Sequence, residues 1–140
     1  MTRVNLGVEP SELCDKHLVA EYREIPRVVT LCKSRISRGA SVVPPVTPER
    51  FVLGTGHMLY FCRFLKTIEL RYIGLCEEMR ERGFSVNFGG RLPIPQAIHH
   101  LVYHECPLDH VEEARYLVIE RIRSRMPSNP RHTKRTRYVA

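Results

Sequence analysis

Apolar residues recur at three- and four-residue steps along most of the chain, the spacing of one buried face of an α-helix. The longest run predicts a helix from Met58 to Met79, with a C-terminal signal that ends at Gly83. A later stripe predicts a last helix, with Asp109 and Glu112 as a capping box at its start. No segment alternates apolar and polar residues convincingly, as a half-buried strand would. The pattern therefore predicts an all-α protein.

Two further helices are predicted to meet near the N-terminus. The first is capped by Ser11 and runs to about Arg23. The second runs from Pro26 toward Arg38, because proline suits the first helical position and disfavours helical geometry in the residue before it. Glu24 therefore falls at a helix–helix joint, where a side chain can point into a cleft.

The chain length of 140 residues corresponds to a single domain, residues 1–140. Prolines and glycines interrupt the helical pattern between residues 40 and 48 and again between residues 85 and 107. The segment 127–140 is predicted to be a basic tail. We therefore expect a compact fold with three to four main helices and long irregular loops.

The charge balance indicates a polyanionic partner. Lys and Arg number 22 against 15 acidic residues, which gives a net charge of +7. Seven of the basic residues and no acidic residue lie between Arg121 and Ala140. Such an excess on a small domain is typical of nucleic-acid binding, although a basic surface that contacts only solvent would give the same composition.

Several classes of protein are not expected from this sequence. No apolar run approaches the roughly 18 residues of a membrane span, and the first residues contain no apolar signal segment. Five cysteines without a C-x-x-C pair argue against a disulfide framework and for a reducing cytoplasm. We expect a cytoplasmic monomer.

Two motifs carry weaker chemical signals. Four histidines and Cys106 lie between His99 and His110, but a structural zinc site usually needs more regular ligand spacing, so no metal is expected. The segment 54–56 has the sequence Gly-Thr-Gly and precedes His57, but it lacks the Lys and Ser/Thr of a phosphate-binding loop. We interpret it as a tight turn that leads into a helix.

The most specific signal begins at the N-terminus. The segments Met1-Thr2-Arg3-Val4-Asn5-Leu6, 15–28 (DKHLVAEYREIPRV), 51–57 (FVLGTGH) and 82–86 (RGFSV) follow one another in this order. Together they resemble the pyrimidine dimer DNA glycosylases of phage and algal-virus type, also called endonuclease V in the phage usage. The resemblance covers roughly the first ninety residues.

This resemblance implies a compact all-α repair enzyme that acts on duplex DNA without a cofactor. It implies that the enzyme cuts the glycosidic bond of the 5′ pyrimidine of an ultraviolet-induced dimer and then nicks the strand by β-elimination. Thr2 matches the family's nucleophile, which acts through its α-amino group after Met1 is removed, and Glu24 matches the catalytic carboxylate. The positions that match the DNA-binding face are Arg3, His17, Tyr22, Arg23, Arg27, Arg115 and Arg121.

Elementary chemistry fits these roles. An α-amine has a pKa near 7.7–8.0, against about 10.4 for Lys, so more of it is neutral and nucleophilic at cellular pH. It can form a Schiff base at C1′ of a deoxyribose, which acidifies the C2′ proton and permits β-elimination without a metal. A carboxylate at Glu24 can stabilise the developing sugar cation and then move protons. The alternative for Glu24 is a solvated salt bridge to a neighbouring arginine.

The chain departs from the family near its C-terminus. The aromatic segment that family members use in lesion recognition is replaced by residues 129–135 (NPRHTKR), and Lys16 stands in place of the usual amide residue before His17. Another lesion, or abasic sites alone, therefore stays open as the preferred substrate. Two other functions remain alternatives, a non-catalytic basic DNA-binding protein and a helical RNA-binding module.

Overall fold

All regular secondary structure in the computed structural model, which describes residues 2–86 and 92–133, is helical, and the all-α prediction is confirmed. No helix in these two ranges is long and apolar enough to cross a membrane. The α-helices are α1 (Asp15–Glu24), α2 (Pro26–Ser37), α3 (His57–Tyr60), α4 (Leu65–Glu81), α5 (His99–Val102) and α6 (Leu108–Ser124). Short 3-10 turns lie at Pro10–Glu12, Phe61–Arg63 and Gln96–Ile98.

The predicted joint between the first two helices is confirmed. Ile25 is fully buried between α1 and α2, and Pro26 occupies the first position of α2. The end of α2 also follows its local signal, since the N–H of Ala40 donates to the carbonyl of Arg35 at 2.9 Å after Gly39 has reversed the chain. Glu24 is therefore the last residue of α1.

The start predicted for the first helix is wrong. Ser11 lies in the 3-10 turn, and α1 begins four residues later, at Asp15. Between them Leu13 adopts an extended conformation and is fully buried, as is nearly all of Cys14. Burying these two consecutive side chains requires a change of chain direction that a continuous surface helix does not provide.

The single helix predicted from Met58 is interrupted. Tyr60, Phe61 and Cys62 are each fully buried, and so is Leu65 after the break at Phe64. One face of a straight helix cannot bury three consecutive side chains, and the 3-10 turn at Phe61–Arg63 reorients the chain so that all of them reach the core.

The capping box predicted for the last helix does not form. Helix α6 begins at Leu108, with Pro107 as its N-cap and no side-chain cap. Asp109 instead approaches Arg50 at 3.5 Å, and Arg50 also contacts Glu113 at 3.0 Å. Helix α6 is thus tied to the loop that precedes α3.

The N-terminal segment lies between α6 and the central helices. Helix α1 packs on α4, where Tyr22 stacks on Tyr72 with ring centroids 5.7 Å apart. Gly7 has a φ of +85°, and a Cβ there would lie 2.7 Å from the carbonyl oxygen of Val111. Only glycine permits this close approach of the N-terminal segment to α6.

Part of the C-terminal segment is docked on the start of α1. The N–H of Asp15 donates to the carbonyl of Arg131 at 2.7 Å, and the N–H of Thr133 donates to the Asp15 carboxylate at 3.0 Å. Arg82 is buried and donates to the same carboxylate at 2.9 Å. The tail prediction also covers Lys134, Arg135 and Arg137, which lie outside the described residues.

Candidate active site

Three consecutive backbone amides hold the N-terminal segment against side chains of α1 and α3. The N–H of Arg3 donates to Oε1 of Glu24 at 3.2 Å. The N–H of Val4 donates to Nε2 of His57 at 2.9 Å. The N–H of Asn5 donates to a carboxylate oxygen of Glu21 at 3.2 Å. Such a series of side-chain acceptors fixes the path of the first residues without a sheet partner.

Glu21 is the buried anchor of this arrangement, with 1% of its surface exposed. Its carboxylate accepts hydrogen bonds from Nδ2 of Asn5 at 2.7 Å and from Nη2 of Arg71, on α4, at 2.9 Å. Arg71 also donates through Nε to Glu21 and through Nη1 to the carbonyl of Val8. A buried carboxylate is tolerated when its charge is paired and its oxygens are hydrogen-bonded, and both conditions are met here.

A pocket opens where this segment meets α1 and the C-terminal half of α6. His17, Glu21 and Glu24 are spaced by four and three residues, which puts them on one face of α1. Arg121 lies in the last turn of α6, and Arg125 follows the helix as its C-cap residue, four positions later. The lining residues are Arg3, Asn5, His17, Ala20, Glu21, Glu24, Arg121, Ile122 and Arg125.

The pocket is electropositive. Burial, together with the nearby cations Arg3 and Arg125, lowers the pKa of Arg121 to about 10, so Arg121 stays charged at neutral pH. Nη2 of Arg121 donates to Oδ1 of Asn5 at 3.0 Å, which orients the guanidinium. Because Glu21 is neutralised by Arg71, the three arginines outweigh the carboxylates, and an anion would relieve their mutual repulsion.

His17 sits at the edge of the same pocket. Its Nε2 lies 3.2 Å from the carbonyl oxygen of Arg125, to which it donates. Burial and the neighbouring charges of Lys16, Arg3 and Arg121 lower the pKa of His17, which favours the neutral ring. Nδ1 of His17 has no hydrogen-bond partner among the described residues and is left for a bound molecule or water.

Glu24 accepts a hydrogen bond from the N–H of Arg3, the residue that follows Thr2. Among the residues that the structure describes it forms no ion pair, contrary to the salt-bridge alternative. Thr2 is buried, and one residue spans at most about 3.6 Å, so the Thr2 nitrogen lies within roughly 7 Å of Oε1 of Glu24. A group on the N-terminus and a carboxylate can therefore act on one bound molecule.

The remaining predicted DNA contacts are not in this pocket. Arg23 and Arg27 are exposed on the surface beside the joint. Tyr22 is 93% buried and stacks in the core. Arg115 makes a bidentate ion pair with Glu12, with both N–O distances 2.8 Å, and also donates to the carbonyl of Gly7. The pair with Arg115 lowers the pKa of Glu12 to about 2.

The histidine-rich segment forms separate contacts. His99 stacks on Tyr103 with ring centroids 4.4 Å apart, and Nδ1 of His110 lies 2.8 Å from the hydroxyl of Tyr60. Within residues 2–86 and 92–133, no three His, Cys, Asp or Glu side chains are placed to hold a metal ion.

Sequence reasoning missed five residues of the site. Glu21 and Arg125 carried a detectable signal, because each follows a predicted contact by one helical turn, Glu21 after His17 and Arg125 after Arg121. Asn5, His57 and Arg71 carried none, since their roles depend on contacts between distant segments.

The N-terminal segment, three arginines and a carboxylate with no ion-pair partner among the described residues converge on one pocket of a helical fold. These features define a class of proteins suited to polyanionic substrates. The sequence model of the pyrimidine dimer DNA glycosylase family matches residues 1–89, which include the N-terminal segment, α1 and α4. The chain therefore belongs to the pyrimidine dimer DNA glycosylase family, and the resemblance seen in the sequence is confirmed. It is a DNA repair protein of the glycosylase class, and its substrate is DNA.

Proposed function

We propose that this protein cuts the glycosidic bond of the 5′ pyrimidine of a dimer through the α-amine of Thr2 and then cleaves the strand by β-elimination. The amine, freed by removal of Met1, bonds to C1′ of the 5′ nucleotide as the glycosidic bond breaks. The 5′ pyrimidine takes the electron pair and stays joined to its 3′ neighbour through the dimer. Ring opening gives a Schiff base, loss of the C2′ proton expels the 3′ phosphate, and hydrolysis of the imine restores the amine.

One observation carries the proposal. The amides of Arg3, Val4 and Asn5 are held by Glu24, His57 and Glu21, and this series of bonds keeps the start of the chain beside the one carboxylate of the pocket that has no ion-pair partner among the described residues. A nucleophile on a free chain end needs such positioning, because productive attack requires a separation of about 3–3.5 Å.

Glu24 is assigned two successive tasks in this proposal. As a carboxylate it stabilises the positive charge that develops on the sugar while the glycosidic bond breaks. It then moves protons during ring opening and elimination. Its position at the end of α1, bound to the N–H of Arg3, supports both tasks because it puts the carboxylate within roughly 7 Å of the Thr2 nitrogen.

The basic residues of the pocket are assigned to the phosphate backbone. Arg3, Arg121 and Arg125 line the same pocket as Glu24 and can form charge-assisted bonds to phosphates next to the lesion. Arg23 and Arg27 would extend this contact over the surface beside the joint. The chemistry needs no metal, since the imine formed by the amine supplies the electron sink for elimination and the carboxylate moves the protons.

Arg121 and Arg115 offer a matched test of this assignment. Arg121→Gln is expected to reduce the slope of log affinity against log salt by about 0.9, because one phosphate contact is lost. Arg115→Gln is expected to change the slope much less, since its guanidinium is already paired with Glu12. Fluorescence anisotropy with duplex DNA at several salt concentrations measures the slope for both variants. Equal changes in slope would contradict the assignment of the pocket as the phosphate-binding site.

Borohydride trapping tests the proposed chemistry directly. We expect reduction in the presence of abasic-site or dimer-containing duplex to give a covalent adduct, and mass mapping to place it on the Thr2 nitrogen. An adduct on a lysine would contradict the assignment of the Thr2 amine as the nucleophile. Cleavage of the glycosidic bond without any adduct would leave a glycosylase that lacks the lyase step. Trapping on abasic duplex alone would identify abasic sites as the substrate.

A further inference from the structure

His57 is a buried histidine that the proposed chemistry leaves without a task. Only 3% of its surface is exposed, and its ring meets Phe51 and Phe61 edge-on, with centroids 5.3 and 5.5 Å away. The turn before it is specialised, because Gly56 has a φ of +89° and a Cβ there would lie 2.9 Å from Pro48. The turn and the two aromatic rings therefore leave the His57 ring little freedom to change its orientation.

The hydrogen bonds of His57 define its tautomer. The N–H of Val4 is a donor only, so Nε2 must accept at 2.9 Å, and Nδ1 must carry the proton that it donates to the carbonyl of Val52 at 2.8 Å. Burial lowers the pKa of His57, and this effect outweighs the bond to Val52. The ring is therefore a neutral acceptor at neutral pH.

We propose that His57 is a positioning residue for the Thr2 amine: its neutral Nε2 holds the N–H of Val4, two residues from the nucleophile, and sets where the amine meets the substrate. Val4 is fully buried, so its N–H has no access to water as a replacement acceptor. Glu24 and Glu21 hold the residues on either side, but both are anions, and Glu24 has a proposed chemical task. His57 is the neutral member of the three. The inference rests on the proposed function of Thr2.

Two substitutions separate this role from support of the turn. The amide oxygen of His57→Gln occupies a place near that of Nε2 and can still accept from Val4, whereas His57→Asn matches Nδ1 and keeps only the bond to Val52. We expect His57→Asn to reduce the borohydride trapping rate on abasic duplex between about 10- and 100-fold, with duplex affinity within about threefold of wild type. His57→Gln is expected to retain the rate within about threefold.

A control separates positioning from loss of stability. Thr47→Val removes another buried hydrogen bond, from Oγ1 of Thr47 to the carbonyl of Val42 at 3.1 Å, and leaves the N-terminal segment untouched. At equal folded fraction, Thr47→Val is expected to trap at the wild-type rate. Equal rates for His57→Asn and His57→Gln, or a matching loss in Thr47→Val, would overturn the proposal.

The tautomer supplies a test that needs neither substitutions nor substrate. In wild-type protein labelled with ¹⁵N-histidine, NMR at neutral pH should show His57 protonated at Nδ1, and the amide of Val4 should exchange slowly. A proton on Nε2 would overturn the proposal, since that nitrogen could not accept from Val4. Failure of wild-type protein to trap DNA, combined with the expected tautomer, would instead count against the chemistry of Thr2.

Discussion

A form of the protein with one glycine placed before Thr2 is expected to lose imine trapping and strand cleavage by at least about 100-fold while it stays folded. The extra residue turns the Thr2 nitrogen into an amide and moves the free amine by up to about 3.6 Å. At pH 7.5 roughly one third of an α-amine is neutral, against about 0.1% of a lysine, so no lysine would replace it efficiently. Gel assays of borohydride adducts measure the loss.

The matched variant for this experiment is Thr2→Ala. It keeps the free amine and a small side chain at the second position, which normally allows removal of the initiator methionine, so it is expected to trap within a few-fold of wild type. Full lyase activity in the extended form, or loss of activity in Thr2→Ala with its amine free, would contradict the role of the amine.

Glu24→Gln is expected to reduce glycosylase turnover by about 100-fold or more while DNA affinity holds or rises. The amide oxygen of glutamine can still accept from the N–H of Arg3, so the N-terminal segment should keep its place. Only the charge that stabilises the sugar cation is lost, and removal of an anion from the pocket favours binding of phosphates. Single-turnover cleavage of the glycosidic bond and duplex affinity give the two quantities separately.

Glu120→Gln is the control for this charge effect. Glu120 is exposed on α6, beside Arg121 and Arg125, and lies outside the pocket that contains Glu24. Its replacement removes the same charge from the same region and is expected to leave turnover within about twofold. If Glu24→Gln lost binding and turnover in equal proportion, Glu24 would have a structural role instead.

The helix boundaries show how far local signals reach. The joint at Pro26 and the end of α2 before Gly39 followed the sequence, because proline and glycine act on the backbone dihedrals of their immediate neighbours. The interrupted helix at Phe61–Arg63 did not, because its apolar spacing is compatible with one helix and only the core requires the chain to turn. Local propensity was overridden there by burial.

The candidate site shows the same division. Glu24 was predicted to lie at a joint and face a cleft, and the structure confirms that geometry. The surroundings of Tyr22 and Arg115 could not be predicted from the sequence. Tyr22 stacks on a residue 50 positions away, and Arg115 pairs with one 103 positions away. Whether a side chain faces DNA or the core depends on such packing.

By itself, the sequence determined that the protein is helical, that it is basic, that two helices meet at Glu24 and that its first ninety residues resemble a repair glycosylase. These properties depend on composition and on neighbours within a turn or two of helix. The tertiary structure alone decided that Glu21, with Arg71, and His57 hold the first residues of the chain, and that Asn5 orients Arg121. Those hydrogen bonds span 16 to 116 positions, and they exist only because packing of α1, α3, α4 and α6 brings their partners within 3.2 Å.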